Sequence, residues 1–189
     1  MSFHLAQVNI ALLRAPADDP VNASYLARLD ELNALADASP GFVWRYLTDS
    51  RDPEQRELGD PLVLFNMSIW DSLASLHAYT YRSAHAEAYA KRKTWFVSSA
   101  PRAATGPIPT SQASGPSRRV DGFVEPEAHT GLARLACWWI PVGERPTAEE
   151  GRRRLASVRE HGPTAHAFTL KTAWGPDGLP LRTPGTSVR

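Results

Sequence analysis

The order of the apolar segments in the first half of the chain constrains its fold more than any other feature. Residues 3–13 interleave Val, Ile and Leu with polar residues, which predicts a strand. A first helix over residues 20–38, strands over residues 42–48 and 62–70, and a second helical segment over residues 71–96 are predicted to follow. The second helical segment is either continuous or broken near Tyr79. This β-α-β-β-α order is most of a ferredoxin-like unit, and it predicts an α+β fold built on an antiparallel sheet.

The closing strand of such a unit comes later in this chain than a short connection would place it. Residues 97–131 are rich in Pro, Gly, Ser and Ala, show no periodicity, and are far longer than the usual connection of about 4–6 residues. They form either a functional lid or a disordered insertion, and composition favours disorder. A fourth strand over residues 132–142, an extra helix that begins after Thr147 and a strand-like piece over residues 166–174 come next. The sequence predicts one domain, 1–174, and a flexible tail, 175–189.

Local signals mark the ends of two helices. Asp19 is placed to cap a first helix that has Pro20 at its first position. Thr147 and Glu150 have the spacing of a capping box, and Gly162 is placed to end that last helix.

Composition excludes several classes of partner. The 189 residues carry a formal net charge of +1, so no global field attracts nucleic acid or an anionic membrane. No apolar run approaches the roughly 20 residues that span a bilayer, and the N-terminal residues lack the pattern of a signal peptide. The single cysteine, Cys137, forms no internal disulfide and, in an apolar strand, is expected to be inert. Together these features predict a soluble, cytoplasmic protein.

Four stretches resemble an uncharacterised bacterial family of the dimeric α/β-barrel superfamily. They read HLAQVNIA, SPGFVWR, NMSIWDSLASLHAYTYRSAHAEAYAKRKTWF and WWIPVGERPTAEEGRRRLASVREHGPTAHAFT. The resemblance covers about residues 3–97 and 133–172, and its most specific part is the WDSLASLHAYTYRSAH segment between Trp70 and His85. That segment is also similar to the antibiotic-biosynthesis monooxygenases. In the family the chain passes almost directly into the fourth strand, whereas residues 97–131 intervene here.

The resemblance implies a fold and a range of activities. It implies a four-stranded antiparallel sheet with helices on one face, and a homodimer in which the other face packs against the partner's sheet to close a barrel. Superfamily members include cofactor-free monooxygenases, polyketide cyclases, lactone isomerases and haem enzymes. An analogy of fold alone assigns no reaction, because one fold hosts many functions.

One predicted helical stripe carries the candidate catalytic groups. Tyr81, His85, Ala88, Arg92 and Phe96 share a helical face, and this mixture suits a cavity wall better than a dry core. His85 is the candidate general base, Tyr81 a hydrogen-bond donor to a developing oxyanion, and Arg45 or Arg92 a holder of a carboxylate or enolate. The structural alternative is that these side chains bond locally, to the backbone and to nearby carboxylates.

The strands add candidate substrate-binding residues with polar or aromatic side chains. These are Gln7, Asn9, Arg45, Asn66, Ser68 and Trp70, together with Trp95 after the third strand. A polar strand face is either solvated or lines a cavity, and the sequence does not decide which way the face points. Such tryptophans are more often core or dimer-interface residues than residues that stack on a substrate.

These residues predict a small-molecule enzyme of specialised metabolism with an aromatic or polyketide-like substrate. Acid/base-assisted cyclisation, isomerisation or cofactor-independent monooxygenation would suit them. No cofactor is predicted, because nucleotide-binding and metal-ligand spacings are missing from the sequence. Two alternatives remain open: a haem enzyme with His85 or His77 as axial ligand, and a ligand-binding homodimer without catalysis.

Overall fold

The computed structural model describes residues 1–15, 19–46, 63–83, 85, 96 and 133–181, without the side chain of Leu26. The elements in chain order are β1 (Phe3–Leu12), a 3₁₀ turn (Pro20–Asn22), α1 (Ala23–Asp37), β2 (Phe42–Arg45), β3 (Val63–Trp70), α2 (Leu73–Arg82), β4 (Leu135–Pro141), α3 (Ala148–His161), β5 (Ala173–Trp174) and β6 (Pro180–Leu181). None of the described helices is long and apolar enough to cross a membrane.

The first four strands form one antiparallel sheet in the order β2-β3-β1-β4. Strand β1 lies in the interior of this sheet and is paired along both edges, with Gln7 opposite Ser68 on one side and Cys137 on the other. The order is compatible with a ferredoxin-like arrangement. The predicted α+β class and antiparallel sheet are therefore confirmed.

The first helix begins as its sequence signals predict. The Oδ1 atom of Asp19 accepts a hydrogen bond from the backbone N–H of Val21 at 2.9 Å. Pro20 opens the 3₁₀ turn, and α1 continues from Ala23. At the other end of α1, Gly41 adopts a φ of +79°, which a residue with a side chain rarely adopts, and its carbonyl accepts the N–H of Asp71.

The two faces of the sheet differ in chemistry. One face, the α3 face, carries apolar side chains of every strand and packs against α3. The opposite face, the polar face, carries Gln7, Asn9, Arg45, Asn66 and Ser68, which the strand registers place together. At one end of this polar face the strands carry the apolar residues Leu5 and Trp70. Helix α2 lies over that end, because Leu76 packs with these two residues. The question that the sequence left open is thus decided: the polar residues face the side of the sheet that carries α2.

Helix α3 is built to lie flat on the sheet. Ala148, Gly151, Leu155 and Val158 are its buried residues. A Cβ atom added at Gly151 would lie only 3.1 Å from both Phe65 Cζ and Met67 Sδ, so the small residue permits close approach. The predicted ends are also found: the Thr147 side chain accepts the N–H of Glu150 at 3.1 Å, and Gly162 caps the C-terminus with a φ of +73°.

The position of α3 bears on the expected dimer. Arg145, just before α3, lies over the Trp44 ring of β2, whereas Arg159, near its end, bonds to Ala133 before β4. The helix therefore crosses the whole α3 face. In a barrel of the kind that the resemblance implies, this face would meet the partner's sheet. A partner sheet that packed directly on it would have to displace α3; the homodimer stays a prediction.

The C-terminal region departs from the sequence-based expectation. Phe168 exchanges two backbone hydrogen bonds with Cys137, of 2.7 and 2.9 Å, but its neighbours do not continue as a strand of the sheet. Residues 173–181 form a small hairpin of β5 and β6, so secondary structure extends past Gly175, and the flexibility predicted for residues 175–189 stays a prediction. The predicted insertion 97–131 and residues 182–189 lie outside the described residues.

Replacement of Leu155 by Ala tests the packing of α3. Leu155 is 4% exposed, so Leu155→Ala should lower the free energy of unfolding by about 2–5 kcal/mol, since it removes buried contacts and leaves a cavity. The matched control is Leu179→Ala at a position 63% exposed, where the change should be within about 0.5 kcal/mol. Equal urea-denaturation midpoints for the two variants would contradict the packing described here.

Candidate functional site

Three buried side chains form a hydrogen-bonded group at the centre of the polar face. Ser68 Oγ accepts from Gln7 Nε2 and from Trp70 Nε1, both at 2.9 Å. The pleat of β3 places Ser68 and Trp70 on the same face, and the β1–β3 register places Gln7 directly opposite Ser68. Because one hydroxyl satisfies two buried donors, the orientation of the Trp70 ring is fixed from within the sheet.

Arg45 adds a cation to the same face. The register of β2 places it opposite Ser68. Its Nη2 atom lies 3.1 Å from Asp37 Oδ2, which ties β2 to the end of α1. Its Nη1 atom is buried and has no hydrogen-bond partner among the described residues. A guanidinium whose Nη2 is held by a carboxylate and whose Nη1 has no partner among the described residues is a candidate binder of an oxyanion.

An aromatic stack runs from the sheet to His85. The Trp70 ring stacks on Tyr79 of α2 with centroids 4.9 Å apart, and the Tyr79 ring lies 4.6 Å from the His85 ring. His85 reaches this position because α2 ends at Arg82 and Ser83 adopts an extended conformation. The Ser83 hydroxyl donates to the Tyr79 carbonyl at 2.6 Å and accepts the His85 N–H at 3.1 Å.

The surroundings of His85 favour a neutral imidazole. Burial lowers the pKa of His85 below its ordinary value of 6.5, and the contact with the Thr80 carbonyl acts in the opposite direction. Nδ1 lies 3.4 Å from that carbonyl oxygen, which assigns the proton to Nδ1 and leaves Nε2 as an acceptor. A neutral histidine with an unprotonated Nε2 is the form that a general base requires.

Tyr79 is the site residue that the sequence interpretation missed. Its ring lies between Trp70 and His85, and burial raises the pKa of its hydroxyl to about 12, so that it stays protonated at neutral pH. The Arg45 cation acts in the opposite direction on this pKa, which places Arg45 within electrostatic reach of Tyr79. The signal available in the sequence was the position of Tyr79, nine residues after Trp70 and on the helix that begins between them.

The predicted stripe from Tyr81 to Phe96 is not one helical face. The helix breaks at Ser83, because the Ser83 side chain bonds to the backbone on both sides and competes with helical continuation. Tyr81 is 42% exposed and its ring centroid lies 4.7 Å from that of His77. Arg92 and Trp95 lie outside the described residues.

The remaining candidates lie at the margins of the site. Asn9 and Asn66 face each other across β1 and β3, with Asn9 half-buried and Asn66 exposed. In the described part of the chain, no three His, Cys, Asp or Glu side chains are grouped so as to hold a metal ion. Cys137 is fully buried, and burial raises the pKa of its thiol well above the ordinary value, as expected of an inert thiol.

Fold and site define an α+β protein with a polar sheet face beside an aromatic stack. The family model described as "Domain of unknown function (DUF3291)" matches residues 4–105 and 112–182. The chain therefore belongs to this family, which agrees with the resemblance to an uncharacterised family. Neither a curated protein nor a solved structure matches the chain significantly.

The lowered pKa of His85 predicts a pH dependence of stability. The unfolded chain takes up a proton near pH 6.5, whereas folded His85 does so only at lower pH, so stability should fall as pH decreases through this window. Urea denaturation is measured at about pH 7.5 and about pH 5.5. Between these two pH values the free energy of unfolding should fall more for wild type than for His85→Gln. The control His166→Gln alters an exposed histidine and should behave as wild type. Parallel losses in wild type and His85→Gln would contradict the prediction.

Proposed function

We propose that the polar face of the sheet binds a small flat molecule that carries an anionic oxygen, and that His85 acts on it as a general base. The substrate class is an aromatic or polyketide-like compound. The reaction class is acid/base-assisted cyclisation, isomerisation or cofactor-independent oxygenation, all of which begin with removal of a proton beside a carbonyl or from an electron-rich ring.

The observation that carries the proposal is the Nη1 atom of Arg45. It is a buried charged donor without a hydrogen-bond partner among the described residues, on a face that already holds Gln7 and Ser68. Leaving such a donor unsatisfied is costly, and an oxyanion of the ligand would satisfy it. The ion pair with Asp37 holds the guanidinium in place before the ligand arrives.

The aromatic stack supplies the second half of the recognition. Trp70, Tyr79 and His85 cover one another's ring faces, so a flat ligand would lie against the outer edge of this stack, beside the imidazole. The Tyr79 hydroxyl is protonated at neutral pH. It would donate a hydrogen bond to the ligand oxygen that becomes negatively charged when His85 removes a proton. In this proposal Tyr79 takes the part that the sequence had given to Tyr81.

The alternatives make different demands. A haem enzyme needs His85 or His77 as axial ligand, and the His85 Nδ1 contact with Thr80 is of the kind that orients ligating histidines. A colourless protein that takes up no added haem would contradict this alternative. A binding protein without catalysis would use the same Arg45 and aromatic residues but would catalyse no reaction.

Binding is tested with naphthoate and its neutral analogue naphthamide, followed by tryptophan fluorescence. The protein should prefer naphthoate, and Arg45→Met should weaken naphthoate binding about tenfold or more, because the charge-assisted hydrogen bond is lost. Arg82→Met, at an exposed arginine of α2, is the matched control and should bind as wild type. Equal affinity for the two probes, unchanged by Arg45→Met, would refute the anion-binding role.

Catalysis is tested by exchange of the acidic protons of β-tetralone, an aryl-fused ketone, into D₂O. Wild type should accelerate the exchange, and His85→Ala should reduce the acceleration about a hundredfold or more, because the general base is removed. His77→Ala is the control, since His77 contacts Tyr81 and not Tyr79. Exchange that His85→Ala leaves unchanged, in a variant with wild-type circular dichroism, would exclude His85 as the base.

A further inference from the structure

The Ser68 hydroxyl uses both of its acceptor positions inside the sheet. Its Oγ atom accepts one hydrogen bond from Gln7 Nε2 and another from Trp70 Nε1, both at 2.9 Å. A serine hydroxyl has two acceptor lone pairs and one O–H donor. Because N–H groups occupy both lone pairs, the hydroxyl can enter a further hydrogen bond only as a donor.

The Ser68 O–H has no acceptor among the described residues. Gln7 lies beside Ser68 on β1, and Arg45 lies opposite Ser68 on the other side, in β2. Side chains directly opposite each other in an antiparallel pair have Cβ atoms about 4.5–5.5 Å apart. A guanidinium has five N–H donors and no acceptor, so Arg45 cannot accept the Ser68 proton. The β2 side of Ser68 therefore carries donors only.

A purely structural role accounts for part of this arrangement. It explains Ser68 as the acceptor that orients the Trp70 ring, and Arg45 as the ion-pair partner of Asp37, with Nη2 and Oδ2 3.1 Å apart. It uses neither the Ser68 O–H nor the buried Nη1 atom of Arg45, which has no hydrogen-bond partner in the described part of the chain. Two neighbouring donors without an acceptor are unfavourable unless a ligand or water supplies one.

The two donors lie next to a part of the polar face that is open to solvent. The Arg45 side chain is 23% exposed. Asn66 is exposed and precedes Ser68 by two residues on β3, so it lies on the same face, and Asn9 opposite Asn66 is half-buried. A ligand that reaches Arg45 and Ser68 would approach along the face from the side of Asn66.

We propose that Ser68 donates a hydrogen bond to the anionic group that Arg45 Nη1 binds, so that the two residues form one carboxylate-binding subsite. This inference rests on the proposed function, because it concerns the ligand group that Arg45 holds there. A carboxylate offers an acceptor oxygen to each of the two donors. A carboxamide offers one acceptor and one N–H₂ group, which would face a donor, so the pair selects a carboxylate over an amide of the same shape.

The test is the ratio of the affinities for naphthoate and naphthamide in Ser68→Ala, measured by tryptophan fluorescence. Loss of one of the two donors should lower this ratio about fivefold or more. A change that only disturbs the packing of the site would weaken the binding of both probes and leave the ratio unchanged. Ser39→Ala is the matched control, because the Ser39 hydroxyl bonds to the Leu35 carbonyl at the end of α1, and it should keep the wild-type ratio.

A second variant is needed because Ser68→Ala leaves the Gln7 and Trp70 donors buried without their acceptor. Ser68→Cys keeps a side chain of similar shape and offers only a weak S–H donor, so it should lower the ratio as well. A wild-type ratio in a folded Ser68→Ala or Ser68→Cys variant, with a lowered ratio in Arg45→Met, would overturn the role of Ser68 and leave the proposed function intact. Equal affinity of wild type for the two probes, unchanged by Arg45→Met, would overturn both.

Discussion

The pairing of β1 along both of its edges is the constraint on which the rest of the structure depends. Because β1 bonds to β3 and to β4 at once, the alternation of its side chains determines which residues of three strands share a face. A shift of one residue would move Gln7 into the apolar core under α3 and Val8 onto the polar face. Burial of Ala6 and Val8 under α3 therefore holds Gln7 opposite Ser68.

The same strand pairing explains how the polar side chains of Gln7 and Ser68 can be buried in the sheet. Gln7 and Ser68 are each 6% exposed, which is costly for polar side chains unless they are paired. Their mutual hydrogen bond, and the second one from Trp70, satisfy these groups and fix the indole on which Tyr79 stacks. The position of His85 thus depends, through two ring contacts, on a hydroxyl in the middle of the sheet.

Much of the fold followed from sequence because its signals are local. The alternation in residues 3–13, the Asp19-Pro20 start and the Thr147 cap each act within a few residues, and the structure shows all of them. The site was predictable in part. Gln7, Ser68, Trp70 and Arg45 come together as one face of neighbouring strands, whereas the continuous stripe through Tyr81 and His85 was wrong. The helical period of 3.6 residues does not reveal that the Ser83 side chain bonds to the backbone of Tyr79 and His85 and ends the helix.

What the sequence determined by itself was the order of elements, the alternation of each strand and the ends of the helices, since these depend on propensity and spacing. What only the tertiary structure decided was which face of the sheet each helix covers. The apolar stripe of α3 fits either a neighbouring sheet of this chain or one of a partner, and only packing against Phe65 and Met67 selects the former. The hydrogen bond between Gln7 and Ser68 and the electrostatic effect of Arg45 on Tyr79 likewise arise from long-range contacts, because residues far apart in sequence meet only when the sheet has formed.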